Sequence, residues 1–125
     1  MAKKLQLSDE FIGLLKQRIA ICKLNSTTIK TGDLILSDNI NNYPILIFGT
    51  GGVSSANLSY HVVMPWFSQI DNNGNFSGWR SNKYDINFMV GTSYISGYKK
   101  NDTTITIESN TPNIDIRVVF GIKFK

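Results

Sequence analysis

His61 is the single histidine of the chain, so a Ser–His or Cys–His nucleophilic pair would have to use it. It alternates with Tyr60 and Val62 in an apolar stretch, which is how a half-buried histidine on a sheet face reads, and no Gly-x-Ser-x-Gly elbow accompanies it. One histidine and one cysteine, Cys22, do not make a zinc site within one chain; a symmetric trimer would have to bring three copies of His61 onto its axis. Gly49-Thr50-Gly51-Gly52 follows an apolar run but lacks the Gly-Lys-Ser/Thr of a phosphate-binding loop, and reads as a strand connection. Asp71-Asn72-Asn73-Gly74-Asn75 resembles a calcium loop only in composition: the glycine is out of place and no glutamate closes it, so a tight Asn-Gly turn is expected. Asp38, Asp71, Asp85, Asp102, Glu108 and Asp115 are spread over turns and strands. A glycosidase needs two carboxyl groups about 5–9 Å apart, and spacing along the chain leaves such a pair open without assembling one. No catalytic residue, metal ligand or cofactor is assigned.

The segment 65–80 is chemically the richest. It holds both tryptophans, Trp66 and Trp79, with Phe67 and Phe76, interleaved with Asn72, Asn73, Asn75 and Arg80. Flat rings beside planar amides suit the face of a sugar, and ligand sites combine aromatic walls with a few placed polar groups. The competing reading has the same rings closing one end of the fold or packing against another subunit. Trp66, Asn72, Asn73, Asn75, Phe76, Trp79 and Arg80 are the candidate ligand-binding residues.

The elements that would position these residues follow from the periodicity. Ser8 reads as a helix N-cap, with Asp9 and Glu10 in the first turn and Leu7 and Ile12 as a hydrophobic staple. Phe11, Ile12, Leu14, Leu15 and Ile19 recur at helical spacing over two to three turns, too short to be stable without packing against something. From Ile19 the period changes to two. Strands are expected at 19–24, 34–36, 43–48, 59–64, 84–90, 92–98, 103–108 and 114–124, with the run 43–48 buried on both faces and Asn101-Asp102 as a hairpin turn. The chain is rich in Asn (13) and Ile (16) and poor in Glu, which favours strands joined by Asn-rich turns. About eight short strands in one domain-sized chain of 125 residues predict an all-β fold: an antiparallel, jelly-roll-like β-sandwich over 19–125, preceded by one short N-terminal helix over 1–18.

The exclusions are simple. The net charge of +4 is scattered and forms no basic stripe, so no nucleic-acid partner is expected. No apolar run approaches a membrane span, and no apolar core follows Lys3 and Lys4 as in a signal peptide. The Asn-x-Ser/Thr sites at Asn25, Asn57, Asn75 and Asn101 are what an Asn/Ser/Thr-rich chain produces by chance.

Residues 19–124 resemble the small β-sandwich domains at the C-termini of bacteriophage tail-fibre and minor structural proteins. Thr31 to Tyr43, Thr-Gly-Asp-Leu-Ile-Leu-Ser-Asp-Asn-Ile-Asn-Asn-Tyr, looks like that family's ITLSDSISNYD pattern, with a hydrophobic strand after the tyrosine and Pro44 where the family often has an acidic residue. Val63-Met64-Pro65, Thr104 to Ile107 and the ending Ile116 to Lys123 match in order, the last resembling I-x-x-I-x-G-I-K. The resemblance implies a non-enzymatic virion protein, a homotrimer exposing a β-sandwich head to a host-surface glycan. A short chain with one leading helix suits direct attachment to a capsid or to a tail or baseplate protein, as in head fibres and decoration proteins. The attachment residues would then be Leu7, Phe11, Ile12, Leu14 and Leu15. The alternatives are a purely structural decoration or baseplate protein without a ligand, a polysaccharide hydrolase, and a free lectin.

Overall fold

The computed structural model describes residues 2–51, 58–63, 72–75 and 86–125, with side chains from residue 9 onward. Helix α1 (Ala2–Arg18) passes directly into strand β1 (Ile19–Lys23). The seven further strands are β2 (Gly32–Ile35), β3 (Ile45–Gly51), β4 (Ser59–Val63), β5 (Ile86–Val90), β6 (Ser93–Asn101), β7 (Thr104–Asn110) and β8 (Asp115–Phe124). They form two antiparallel four-stranded sheets, in the orders β1-β8-β3-β4 and β2-β7-β6-β5. The expected all-β sandwich with one leading helix is what the chain builds. First pairs with last and second with seventh, as when a long hairpin is rolled up, while β3–β4 and β5–β6 are local hairpins.

Two expectations change. Ser8 is not an N-cap: the helix runs through it from Ala2, because Lys3, Lys4, Leu5, Gln6 and Leu7 all favour helix and nothing among them stops it. The staple of Leu7 on Ile12 loses its basis with the cap. Strand β3 is not buried on both faces. Leu46 and Phe48 are fully buried, while Ile45 and Ile47 on the other side are half-buried, since the sandwich covers only one face of each sheet.

Turn chemistry sets the hairpins. Gly91 takes a left-handed φ of 64° in the two-residue loop between β5 and β6. The Asn101 side chain accepts from the Thr103 backbone N–H (3.0 Å), closing the β6–β7 turn that the sequence announced. Between β7 and β8, Asn113 is left-handed (φ 53°), and the Asn110 amide bonds the Lys30 and Ile114 carbonyls at 2.9 and 2.8 Å.

The core lies between the sheets. Leu24, Leu46, Phe48, Ile116 and Val119 of the first layer meet Leu34, Ile86, Ile95, Ile105 and Ile107 of the second. The outward faces differ sharply. Across the first sheet the register aligns Ile19 with Phe124, Ile21 with Ile122 and Ile45, Lys23 with Phe120, Ile47 and Val62, and Val118 with Gly49 and Tyr60. Across the second it aligns Asp33 with Thr106 and Tyr98, and Asn87 with Ser96, with Ile35, Met89 and Tyr94 set among them. The second face is the ordinary solvated side of an antiparallel sheet. The rows of the first from Ile19 to Val62 are apolar apart from Lys23, and Arg117 lines one groove with Lys23 and Val118.

Candidate functional site

Of the aromatic–amide constellation, Asn72, Asn73 and Asn75 lie on an exposed turn, with Gly74 left-handed at φ 82°. That is the tight Asn-Gly turn expected in place of a calcium loop. Trp66, Phe76, Trp79 and Arg80 lie outside the described residues, as do Asp71 and Asp85.

The segment 36–43 carries the chain from the second sheet to the first. Leu36 N–H bonds the Thr103 carbonyl (2.7 Å) and Ile40 N–H the Asp102 carbonyl (2.7 Å). Asn39 caps a single 3-10 turn, Ile40–Asn42, by accepting from Asn41 N–H at 2.9 Å. At its end the Tyr43 hydroxyl, on a ring 1% exposed, donates to Asp38 at 2.7 Å, and Asp38 also accepts from Asn39 N–H at 2.7 Å. The tyrosine hydroxyl bond, with the Asn39 amide, holds the Asp38 carboxyl below its ordinary range. Burial first, and then the Asp38 contact, pushes the Tyr43 phenol well above its own. The Tyr43 ring lies over Gly121, where a Cβ would run into it and come within 2.8 Å of Leu24. Lys123 Nζ stands 5.4 Å above the ring. Ser37 to Tyr43 thus build a crossover arch, and Asp38 and Tyr43 hold each other.

His61 lies on the inward side of β4. Its ring stacks on Phe88 (centroids 4.8 Å apart, 20° between planes), and Phe88 meets Phe48 at 5.2 Å. His61 Nε2 and Thr50 Oγ1 are 3.1 Å apart, the distance of a base from a nucleophile. Thr50, however, is 1% exposed and shut in the core, and burial holds the imidazole below its usual value of 6.5, so the ring is neutral at neutral pH. The pair fills the gap between edge strands β4 and β5. This is the packed sheet-face histidine that the sequence suggested.

Three of the described carboxylates form ion pairs. Asp33 pairs with Lys100 (2.6 Å) and accepts from Thr106 (2.7 Å), which lowers its pKa and raises that of the lysine. Asp102 pairs with Lys99 at 3.2 Å and Asp115 with Lys30 at 4.0 Å. Among the described residues no cluster of three or more His, Cys, Asp or Glu could hold a metal ion.

Sequence reasoning missed a polar ridge, residues 25–28, between β1 and β2. Asn25 is 6% exposed and every arm of its amide is used: Nδ2 donates to the Thr27 and Arg117 carbonyls, both at 2.9 Å, and Oδ1 accepts from Val119 N–H at 2.8 Å. Its glycosylation motif is therefore closed off. The ridge separates two open grooves of about 350 and 520 Å³, one lined by Lys23, Thr28, Arg117 and Val118, the other by Asp33, Ile35 and Ser37. Ser26 and Thr27 line both grooves. The signal was the run Asn25-Ser26-Thr27-Thr28, which composition alone reads as a loop.

Exposed apolar side chains occur on the helix and on both sheets, Ile35 of the second sheet being 70% exposed. On α1, Phe11 is 61% and Leu14 54% exposed, with Ile12 and Leu15 beside them; the Leu7 side chain lies outside the described residues. On the first sheet, Ile21 is 62%, Phe124 70% and Val62 58% exposed. Compared with protein-family models, with curated proteins and with solved structures, the chain finds no match, and the reading of its role rests on these surfaces and on the resemblance carried by its own motifs.

Proposed function

We propose that this chain is a non-enzymatic structural protein of a bacteriophage particle: a short homotrimeric surface fibre, attached to capsid or tail through α1, whose sandwich head is presented to a host-surface glycan. The observation that carries the reading is the state of α1. Its described apolar residues Phe11, Ile12, Leu14 and Leu15 are exposed, and the helix joins β1 without a linker. Lys125 ties it to the end of the sheet, its backbone N–H bonding the Arg18 carbonyl (2.8 Å) and its Nζ the Lys16 carbonyl (2.9 Å). Burying each such side chain on a partner is worth about 1.5–3 kcal/mol, so four of them make a strong anchor. Within this fold, the motif of residues 31–43 that carries the resemblance ends in the crossover arch.

Replacing Phe11 and Leu14 together by Asp in the full chain should leave the head folded, by circular dichroism and melting, and abolish incorporation into particles. Normal incorporation would place the anchor elsewhere. Replacing Trp79 by Ala tests the glycan half: adsorption to host cells is lost with the melting temperature unchanged. If Trp79→Ala instead lowers stability by about 3–5 kcal/mol, the ring is core and the glycan contact moves to other loops. The second reading, a decoration or baseplate protein without a ligand, is favoured by one observation. Asn25, Asp38, Asn39 and Asn110, polar residues that could face a ligand, are engaged in holding the chain's own crossings and turns.

A further inference from the structure

We infer that the groove of about 350 Å³ between the loop 25–28 and strand β8 binds an acidic saccharide, a sugar whose oxyanion, carboxylate or sulfate, is held by Lys23 and Arg117. The inference deepens the glycan reading and rests on it for the sugar's being one of a host surface.

The groove owes its shape to an irregularity in β8. Strand β3 pairs Gly49 with Val118 and Thr50 with Ile116, so Arg117 is an extra residue without a counterpart across the ladder. Bulges of this kind re-aim a side chain and are over-represented next to active sites. On the other side of β8 the loop 25–28 stands off the same residues. Three bonds of the Asn25 side chain pin its start. Ile29 and Ile116 pin its end, each N–H bonding the other's carbonyl, at 3.3 and 2.8 Å. Ser26, Thr27 and Thr28 are exposed between these two anchors. A loop held at both ends has its hydroxyls in place before a ligand arrives, which lowers the ordering cost of binding.

The charge there is positive and, at Lys23, uncommitted. Lys30, Lys99 and Lys100 each have a carboxylate, from Asp115, Asp102 and Asp33. Lys23 is exposed and has no ion pair or hydrogen bond among the described residues, and neither do the hydroxyls of Ser26, Thr27 and Thr28. The second groove provides an internal control. It shares Lys23, Ser26 and Thr27 but is lined by Asp33 as well, whereas no carboxylate lines the first. Asp115, two residues before Arg117, is matched by Lys30 and lines neither. Of the two grooves, only the first offers two cations to an anion without an acid beside them.

The floor argues for a sugar rather than a bare anion. A Cβ on Gly49 would run into Val118 Cγ2 and lie 3.2 Å from Tyr60 Cε1 and 3.3 Å from Leu58 Cδ1, so these three side chains converge over the glycine's bare backbone. Val118 and Leu58 line the groove, and the Tyr60 ring, 59% exposed, adjoins them. An aromatic ring with aliphatic neighbours suits the C–H face of a pyranose, the three hydroxyls can exchange hydrogen bonds with its own, and the two cations take its oxyanion. An inorganic anion would use none of the apolar floor. A nucleic acid needs cations repeated along its backbone, and this groove holds two. The volume lies within the roughly 300–1,000 Å³ of small-molecule sites.

The test is calorimetric titration of the full-length protein with an oligogalacturonate and a sulfated glucose oligosaccharide, each beside its neutral form, methyl-esterified or unsulfated. Inorganic sulfate and a single-stranded oligonucleotide are the further probes. At least one acidic oligosaccharide should bind, and which of them binds tells carboxylate from sulfate. Its neutral form should bind at least about tenfold more weakly. Lys23→Gln should cause a similar loss with the melting temperature unchanged, and Lys23→Arg should restore binding. Tyr60→Ala should weaken it too, while Lys100→Gln, which removes a cation from the second sheet, should not. No binding of either acidic oligosaccharide overturns the inference, as does equal binding of the neutral forms. Unchanged binding by Lys23→Gln, or an equal loss in Lys100→Gln, does the same. Inorganic sulfate bound as tightly as the saccharide means an adventitious ion only, and a tighter oligonucleotide means the wrong class of ligand; both overturn it. A neutral oligosaccharide whose binding is lost in Trp79→Ala and kept in Lys23→Gln overturns this groove and leaves the glycan reading standing. If Lys23→Gln loses the acidic oligosaccharide yet the protein still adsorbs to host cells, the groove is upheld and its host-surface role is not.

Discussion

Asn25 is the residue on which the crossing between the two sheets depends. Strand β1 leaves β8 at Leu24, whose N–H still bonds the Val119 carbonyl at 2.8 Å. One residue later the backbone turns toward the second sheet, and the Asn25 side chain takes over the ladder. It accepts from Val119 N–H and donates to the Arg117 carbonyl, as a strand residue would, and holds the Thr27 carbonyl of its own loop. Asn25→Ala removes all three partners. Val119 is fully buried, so its N–H meets no water, and the Arg117 carbonyl loses a donor at a part-buried site. A buried group left unpaired costs about 1–3 kcal/mol, so the variant should lose roughly 3 kcal/mol in all. With a urea slope of about 1.5 kcal/mol/M for a small domain, the unfolding midpoint falls by about 2 M at unchanged slope. Asn25→Asp sharpens the test. It keeps the acceptor for Val119 but turns carboxylate lone pairs toward two carbonyl oxygens, so its folded-state pKa is raised. A group with a raised pKa is better tolerated in its protonated form. Asn25→Asp should therefore be least stable at neutral pH and recover relative to Asn25→Ala as the pH falls through the carboxyl range. Urea melts of the three proteins at one protein concentration decide the matter. An Asn25→Ala midpoint within about 0.3 M of wild type would mean that the three bonds are replaced by water and that the reasoning fails.

Gly121→Ala should lower stability by about 1–3 kcal/mol, read as a drop in melting temperature, because its methyl would enter the Tyr43 ring. The same change at Gly74, where nothing lies within 4 Å, meets only the cost of a left-handed φ and should be milder. His61 gives the protein an acid-side sensitivity. Its folded-state pKa is depressed by burial, so its contribution is complete above 6.5, declines as the unfolded chain takes up a proton below that value, and levels off once the pH is under the folded-state pKa. His61→Gln should flatten stability between pH 7 and 5 relative to wild type, checked by urea melts across that range. Equal slopes in the two proteins would show that the ring does not change its protonation preference on folding.

The strands were legible because each has its own period and punctuation. Ile105 and Ile107 stand at period two between the Asn101-Asp102 turn and Thr111-Pro112-Asn113, and Ile95 lies between Gly91-Thr92 and Asn101-Asp102, so β6 and β7 could be placed within a few residues. The pairing of β1 with β8 was not legible, since about a hundred residues separate Ile19 from Phe124 and no local signal names a distant partner. The helix start failed for a physical reason. Ser8 followed by Asp9 and Glu10 is a good cap pattern, but a cap forms only where the preceding residues leave the helix, and Lys3 to Leu7 do not. The run of residues 31–43 does not by itself show what holds it together. Asp38 is there to receive the Tyr43 hydroxyl, a contact that exists only once the arch has closed. The run Asn25-Ser26-Thr27-Thr28 signals only a loop, because two of the three Asn25 bonds meet strand β8, some ninety residues away, and the third its own loop.

The run 43–48 teaches the most by its half-failure. Continuous apolar residues in a strand mean that both faces are removed from water, and in a parallel sheet helices do the covering. Here the sandwich covers Leu46 and Phe48 only, and the pattern repeats in β8, where Val118, Phe120 and Ile122 face outward between the buried Ile116, Val119 and Gly121. Strands β2, β6 and β5 do not share it: their outward positions turn polar at Asp33, Ser96 and Asn87. The same composition bias would have affected both sheets alike. Its concentration in the strands of one sheet, across three neighbours in register, is a property of the pairing and not of composition. The rule that a doubly apolar strand is doubly covered is thus met by this chain on one face of β3 and β8 only.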